Sequence, residues 1–236
     1  MLTRNQELPV PGHLGTTDVD IHVTIHADAS QDLSIVEDAL ERAGFAPDPE
    51  RAWRWLTTIS GTRVQMEFVC DRDDLPAGAE ITLPRCSTLR AANLRGTGFV
   101  ARDNSPEEIT GTIDGATVSR VARFAGAQGY VLAKACALRD RQAAKDCYDF
   151  AYVLLYNRAG GPRELGAALR AGTFAEDIAG LRTVLVTVAA MFEDANGYAA
   201  LSYAAEAMKV TPDADHAQLR ADAVAAVAEF IDELGV

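Results

Sequence analysis

The chain has 236 residues, a formal net charge of -12 and an apolar content of 48%. This length and composition suffice for one large domain or two small ones with a core, and they exclude wholesale disorder. The acidic balance argues against a protein that coats nucleic acid without specificity.

The first periodic stretch lies near the N-terminus. Apolar and polar residues alternate from Val19 to Ile25, which predicts a half-buried strand. Asp18, Asp20 and His22 then project from one face, and the apolar residues face a core. Adjacent carboxylates repel each other unless a cation lies between them, and their oxygens suit Mg²⁺. The stretch therefore fits a metal site for nucleotide chemistry, and equally a polar strand face wetted by solvent.

Further elements are predicted up to residue 118. Apolar residues at helical spacing predict a helix over 32–43, which Gly44 ends. Gly61 separates two β-prone runs and predicts a hairpin. The two strands of this hairpin are predicted over 53–60 and 63–71, and two further short strands over 81–83 and 112–118. Residues 1–118 are therefore expected to form a strand-rich domain.

The hydrophobic period changes from two to 3.6 near residue 119. The helices predicted beyond this point are 130–138, 146–156, 172–191 and 217–234, with a break at 160–162. A strand-rich front and a helical back indicate an α+β chain, with a helical domain over 119–236.

A second charged motif lies in the only net-basic part of the chain. Residues 120–170 carry 9 basic and 4 acidic side chains, whereas the blocks on either side are strongly acidic. On a helix, Asp146 and Asp149 share a face, and the cations that accompany them are Lys134, Arg139, Arg141 and Lys145. Cations beside carboxylates can hold a triphosphate and position an acid or base. The alternative is a solvated helix face with ordinary ion pairs.

Together the two motifs resemble the AbiEii/AbiGii-type nucleotidyltransferases of the DNA polymerase β-like superfamily, many of which are toxins of bacterial toxin–antitoxin systems. The resemblance covers roughly residues 15–156. It implies a minimal nucleotidyltransferase mixed sheet with flanking helices, followed by a C-terminal helical bundle. Its most specific parts are Thr17-Asp18-Val19-Asp20, Arg141 and Lys145-Asp146-x-x-Asp149.

The resemblance also implies roles for individual residues. Asp18 and Asp20 match the catalytic carboxylates that hold a Mg²⁺ pair, and Glu67 is the best match for a third metal ligand. Lys134 matches a lysine that contacts nucleotide phosphates. Asp149 would position the acceptor or act as the base.

Two cations near the last motif are also implied to bind nucleotide. Lys145 directly precedes Asp146, as in the family pattern. Arg141 is separated from Lys145 by two more residues than in the family, so its role is open. A phosphoryl-transfer site needs both motifs. We therefore expect Asp149, with either Lys134 or Lys145, within about 10 Å of the Asp18 and Asp20 carboxylates.

The implied activity is Mg²⁺- or Mn²⁺-dependent transfer of a nucleoside monophosphate from an NTP to an acceptor hydroxyl. The acceptor would be a tRNA end or a protein, and an antitoxin would be the partner. The family places a Gly-Gly or Gly-Ser helix before its two carboxylates, where this sequence has only Gly12-His13-Leu14-Gly15. Two alternatives stay open: a non-catalytic shell that binds a partner or nucleotide, and a nucleotidyltransferase that modifies an antibiotic.

The cysteines and the hydropathy indicate the compartment. None of the four cysteines forms a C-x-x-C motif, so we expect reduced thiols in a cytoplasmic protein. No stretch is long and apolar enough for a membrane span, so no membrane partner is expected.

Overall fold

The computed structural model describes residues 11–13, 18–25, 31–113 and 115–236. The chain is α+β, with a mixed, curled sheet and a series of helices that ends in a C-terminal helix, as predicted. Its contacts divide it into two units: the described residues from 18 to 101, and residues 11–13 together with Arg102–Val236. None of the helices in these described ranges could cross a membrane.

The first unit contains the sheet. Its described residues form six strands: β1 (Asp18–His22), β2 (Ala46–Pro47), β3 (Arg54–Ile59), β4 (Thr62–Cys70), β5 (Glu80–Thr82) and β6 (Arg90–Asn93). Five of them pair in the order β2-β3-β4-β6-β5, and β1 pairs with β4 outside this path. β1 and β6 run parallel to β4, and the other pairs are antiparallel. Two helices accompany them: α1 (Ser34–Arg42) and α2 (Gly98–Arg102).

The predicted hairpin is confirmed as β3 and β4. Ser60 and Gly61 have φ angles of 49° and 81°, and such a turn matches the twist of antiparallel strands. Trp55 and Phe68 from this hairpin are almost fully buried in the core of the unit. The helix predicted over 32–43 is confirmed as α1.

The core-facing side of the first strand is confirmed only from Ile21 onward. Ile21 pairs in register with the buried Phe68 and packs against the core. Val19 lies on the same strand face as Ile21 but is 49% exposed, so the core does not cover it as predicted. The physical reason is the register: Val19 lies beside Met66, which is only partly buried, and not beside the fully covered part of β4.

A buried carboxylate ties α1 to the loop before β6. Glu37 accepts hydrogen bonds from the backbone N–H groups of Ser87, Thr88 and Leu89 at 2.6–2.9 Å. The hydroxyls of Ser87 and Thr88 also donate to it. Burial by itself would raise the pKa of Glu37, but these hydrogen bonds outweigh it and lower the pKa to about 2.

The second unit begins with a hairpin of two long strands, β7 (Asn104–Ile113) and β8 (Ala116–Ala125). The single strand predicted over 112–118 is wrong, because Gly115, with a φ of 80°, reverses the chain there. The change from strands to helices follows Ala125, so the expected boundary at 118/119 falls inside β8.

Helices form the rest of the second unit. They are α3 (Ala127–Arg141), α4 (Ala144–Tyr156), α5 (Pro162–Ala171), α6 (Ala175–Gly180), α7 (Arg182–Met191), α8 (Tyr198–Ala207) and α9 (His216–Leu234). The single helix predicted over 172–191 is wrong, because the chain breaks at Leu181 between α6 and α7. The helices predicted over 130–138, 146–156 and 217–234 are confirmed within α3, α4 and α9.

The fourth helix is the most buried part of this unit. Nine consecutive residues of α4, from Asp146 to Leu154, are buried. It packs against α8, α3 and α9, and its Phe150 ring lies 6.1 Å from Phe192 and 6.3 Å from Phe230. A helix covered on all sides has to bury any polar side chain that it carries.

The start of α3 is fixed from outside the helix. Gly126 donates its N–H to the Asp103 carbonyl at 2.7 Å, and the Asp103 carboxylate accepts from Gly129 at 2.8 Å. A Cβ at position 126 would lie 2.1 Å from an oxygen of Asp103, so only glycine fits there. This arrangement sets the position of α3, which carries Lys134.

Replacing Glu37 by Gln tests the buried carboxylate. At pH 7 the change should lower the free energy of unfolding by about 1–3 kcal/mol, because a charged acceptor of several hydrogen bonds is lost. The folded-state pKa is depressed, so this stabilisation is present above about pH 4.5 and is lost as the pH falls toward 2. Urea unfolding of both proteins at pH 7, 5 and 3.5 measures the difference.

Glu41→Gln, on the exposed side of the same helix, is the matched control and should change little. A difference between wild type and Glu37→Gln that stays constant down to pH 3.5 would contradict the depressed pKa.

Candidate functional site

The first cluster of predicted site residues lies on the sheet. The register places Asp20 beside Glu67, and Glu67 beside Arg54, on three neighbouring strands. Partners in register share a face, so the three side chains form a row across β1, β4 and β3. Asp18 lies two residues earlier on the same face, beside Gln65.

The row contains a cation that the sequence analysis did not anticipate. Arg54 donates from Nε to Glu67 Oε1 at 2.7 Å, and its NH2 group binds the same oxygen. Both side chains are 17% exposed. The carboxylate of Glu67 is therefore directed to Arg54, and a role as metal ligand would require that this bond is exchanged.

Of the three carboxylates expected to bind Mg²⁺, two are placed in a way that suits this ion. Among the described residues, no group of three or more His, Cys, Asp or Glu side chains is arranged to hold a metal ion. Asp18 and Asp20 supply two carboxylates on one strand face, and Asp20 is exposed. Mg²⁺ is commonly held by one or two carboxylates together with substrate phosphates and water. The pair fits such a site, whereas Glu67 does not fit it while bonded to Arg54.

The second cluster lies between α3 and α4 of the other unit. Lys134 on α3 donates from Nζ to Asp146 Oδ1 at 3.0 Å and to Asp149 Oδ2 at 2.7 Å. The carboxylates are only 3% and 2% exposed. The predicted common face of Asp146 and Asp149 is confirmed, and one ammonium group bridges the two.

The two other predicted cations lie at the edge of this cluster. Arg141 binds Asp146 in a bidentate manner, with Nε at 2.6 Å and NH2 at 2.9 Å. Lys145 is exposed at the start of α4, and its charge helps to lower the pKa of Asp149. The structure thus brings together all of Lys134, Arg141, Lys145 and Asp149.

The network holds its members in their charged forms. Burial alone would raise the pKa of Asp149, but the hydrogen bond from His13 and the charge of Lys134 lower it to about 2. The pKa of Asp146 is lowered as well, mainly by Arg141 and Lys134 against the effect of burial. Burial would lower the pKa of Lys134, but Tyr130 and the two carboxylates raise it above its ordinary value.

A residue near the N-terminus completes the cluster. The Nε2 atom of His13 lies 3.1 Å from Asp149 Oδ1, and the imidazole is 4% exposed. Its ring centroid lies 5.1 Å from Tyr148 and 4.8 Å from Tyr152, the latter in an edge-to-face arrangement. The hydroxyl of Tyr152 donates to the Pro11 carbonyl at 2.8 Å, so residues 11–13 are fastened to α4.

The sequence analysis assigned no site role to His13, Tyr148 or Tyr156. One local signal was present: Tyr148, Tyr152 and Tyr156 are spaced four residues apart and share a helix face. The contact between His13 and Asp149 spans 136 residues, and no local pattern could reveal it.

Asp18 and Asp20 belong to one unit, and Asp149 belongs to the other. The expected approach of the two motifs to within about 10 Å therefore stays a prediction. No protein family model, curated protein or solved structure matches this chain. The fit of side chains to chemistry within each unit therefore carries the functional argument.

Replacing Lys134 by Met tests the energetic role of the bridge. Two buried carboxylates would lose their shared cation, so the free energy of unfolding should fall by about 3–5 kcal/mol. Denaturant unfolding measures the loss, and adding Asp149→Asn to Lys134→Met should recover part of it, because one uncompensated charge is removed.

Lys209→Met is the matched control, since Lys209 forms an exposed pair with Glu206 on the surface. It should cost less than about 1 kcal/mol. Equal losses for the two lysine variants would show that the buried bridge contributes no more than a surface pair.

Proposed function

We propose that the chain is a nucleotidyltransferase that moves a nucleoside monophosphate from an NTP to an acceptor hydroxyl. The observation that carries this proposal is the buried network of Lys134, Asp146 and Asp149. Buried charges are costly for stability, and such clusters concentrate at functional sites. The resemblance of the same residues to the last motif of the AbiEii/AbiGii-type enzymes supports the choice of reaction.

Each residue has a role that its surroundings support. Asp18 and Asp20 would hold Mg²⁺ or Mn²⁺ together with the phosphates, and the metal would supply charge neutralisation at the leaving pyrophosphate. Asp149, fixed by its hydrogen bonds to Lys134 and His13, would orient the acceptor hydroxyl or accept its proton. Lys145, exposed at the start of α4, would meet a phosphate group first.

The acceptor and the biological role follow from the resemblance alone. A tRNA end or a protein would be the acceptor, and the chain would be the toxin of a toxin–antitoxin pair in the bacterial cytoplasm. A small-molecule acceptor such as an aminoglycoside is compatible with the net charge of -12, because a cationic drug is attracted to an acidic surface.

One observation favours a second candidate, a non-catalytic shell that binds nucleotide or a partner. The ammonium of Lys134 already bonds two carboxylates, and Arg141 is bonded to Asp146. Lys134 and Arg141, which were expected to bind phosphate, are thus neutralised by Asp146 and Asp149. In a shell the network would serve structure alone, and nucleotide would bind without turnover.

Transfer of the α-phosphate of labelled NTPs to total tRNA, to protein and to aminoglycosides tests the enzyme against the shell. The enzyme should label one acceptor class with Mg²⁺ or Mn²⁺. The double variant Asp18→Asn/Asp20→Asn should lose at least about a hundredfold in rate, because the metal ligands are lost. Asp213→Asn, on an exposed loop, is the matched control and should keep the wild-type rate.

Thermal melting with the metal and NTP gives an independent measure. The wild type should gain about 2–4 °C when the ligands are well above their dissociation constants, and the double variant should gain nothing. A gain without any labelling would favour the shell, and an equal gain in the double variant would refute the metal assignment.

A further inference from the structure

The outer edge of β8, the side that faces away from β7, has no strand beside it in the part of the chain that the structure describes. The hairpin pairs ten residues of β7 with ten of β8. None of the residues of β8 is buried, and Val121 is 71% exposed. A two-stranded hairpin is only marginally stable in water, and an unpaired edge presents N–H and C=O groups to other strands. The edge of β8 is therefore a template for a further strand.

The two edges of the hairpin differ in how well they are protected against such pairing. β7 contains Pro106, which has no N–H to donate, and Gly111, which weakens a strand. Proteins use residues of this kind to block further pairing at the edge of a sheet. β8 contains neither proline nor glycine, and its only charged residues are Arg120 and Arg123. A further strand is therefore expected at β8 and not at β7.

Two copies of β8 can pair with each other in the antiparallel sense about a two-fold axis. Such an axis, perpendicular to the sheet, places one residue directly opposite its own copy, and opposite side chains share a face. The two registers that use most of the strand are centred on Arg120 and on Val121. The first places Arg120 opposite its own copy, and like charges in that position are destabilising. The register centred on Val121 is therefore favoured.

The register centred on Val121 suits both the arginines and the apolar residue at its centre. Arg120 then lies opposite Ala122, and Arg123 lies opposite Ser119, so neither arginine meets another directly. The two Val121 side chains lie opposite each other and cover apolar surface that is exposed in a single copy. The edge of β8 is thus complementary to itself.

The glutamates of β7 balance the charge of the two arginines. Glu107 is in register with Ala122, so it is a diagonal neighbour of Arg120 on the same face. Glu108 is in register with Val121, and it stands in the same relation to Arg123. A sheet in the order β7-β8-β8-β7 therefore has acidic side chains beside its basic ones and no like charges directly opposite.

We propose that two copies of the chain associate through the outer edges of β8 into a four-stranded antiparallel sheet, with Val121 opposite its own copy at the two-fold axis. This interface is independent of the nucleotidyltransferase activity. One pair of strands buries a small area, so the dissociation constant should be on the order of 10 µM. The two hairpins stabilise each other, because sheets of three or more strands are more stable than an isolated hairpin.

Sedimentation equilibrium of the full chain between about 1 and 500 µM should show the wild type passing from monomer to dimer. Val121→Arg should weaken the dimer at least about tenfold, because two arginines then meet at the axis. The same change suits the single hairpin, since residue 121 lies beside Glu108. Thr112→Arg is the matched control. It adds the same charge to the same face on β7, away from the interface, and should change the dissociation constant by less than about twofold.

Cross-linking tests the register. Three of the four cysteines are buried and Cys86 is not, so Cys86→Ser supplies the background. In this background Val121→Cys should form a disulfide-linked dimer under mild oxidation, because the two copies of residue 121 lie opposite each other. Ser119→Cys, two residues away on the same face, should form at least about tenfold less, since Arg123 lies opposite it. A mixture of Ser119→Cys and Arg123→Cys should form the linked dimer again.

Each outcome supports or overturns the interface. A wild type that stays monomeric up to about 500 µM overturns it and leaves the edge of β8 to a different protein. A dimer that Val121→Arg does not weaken also overturns it, because the two copies then meet elsewhere. Equal cross-linking of Val121→Cys and Ser119→Cys overturns the register. A dimer with cross-links confined to the expected pairs supports the proposal, and this result decides if Val121→Arg does not fold.

Discussion

The burial of two carboxylates on the most enclosed helix is the constraint on which the helical unit depends. Asp146 and Asp149 are both buried on α4, whose Phe150 packs against Phe192, directly after α7, and against Phe230 of α9. An uncompensated buried charge would cost several kcal/mol, so α4 needs cations within bonding distance. Lys134 meets that need from α3. The relative placement of α3 and α4 thus follows from electrostatics as much as from apolar packing.

The two units satisfy their buried carboxylates in different ways. Glu37 in the sheet unit accepts from neutral donors, three of which are backbone N–H groups of one loop. Asp149 accepts from Lys134 and from His13, a residue in an exposed segment. Backbone donors cannot leave without local unfolding, so Glu37 fastens α1 to the loop before β6. Asp149 instead joins side chains from two segments, α3 and residues 11–13.

The positive charge of residues 120–170 overstates what an anion would encounter. Lys134 is bonded to two carboxylates and Arg141 to one of them, so the basic block largely neutralises its own acids. Lys145, the next cation along the chain, is exposed at the start of α4. The same caution applies to the sheet, where Arg54 binds the carboxylate expected to be a metal ligand. A count of charges cannot distinguish available side chains from engaged ones.

The sequence by itself determined the features that depend on neighbours along the chain. The period of two identified the first strand and the hairpin at Gly61, and helical spacing placed Asp146 and Asp149 on one face. These features follow from local geometry, because strand and helix periods are properties of short segments. The turn at Gly115 and the break at Leu181 were missed, since their flanking residues suit longer elements equally well.

Only the tertiary structure decided which side chains meet. The register of β3 with β4 joined Arg54 to Glu67, and the docking of residues 11–13 on α4 joined His13 to Asp149. Both contacts depend on the free energy of burying whole elements, which no short window of sequence contains. The sequence therefore identified the charged residues of the cluster, and the packing of α3, α4 and residues 11–13 decided which of them are bonded to each other.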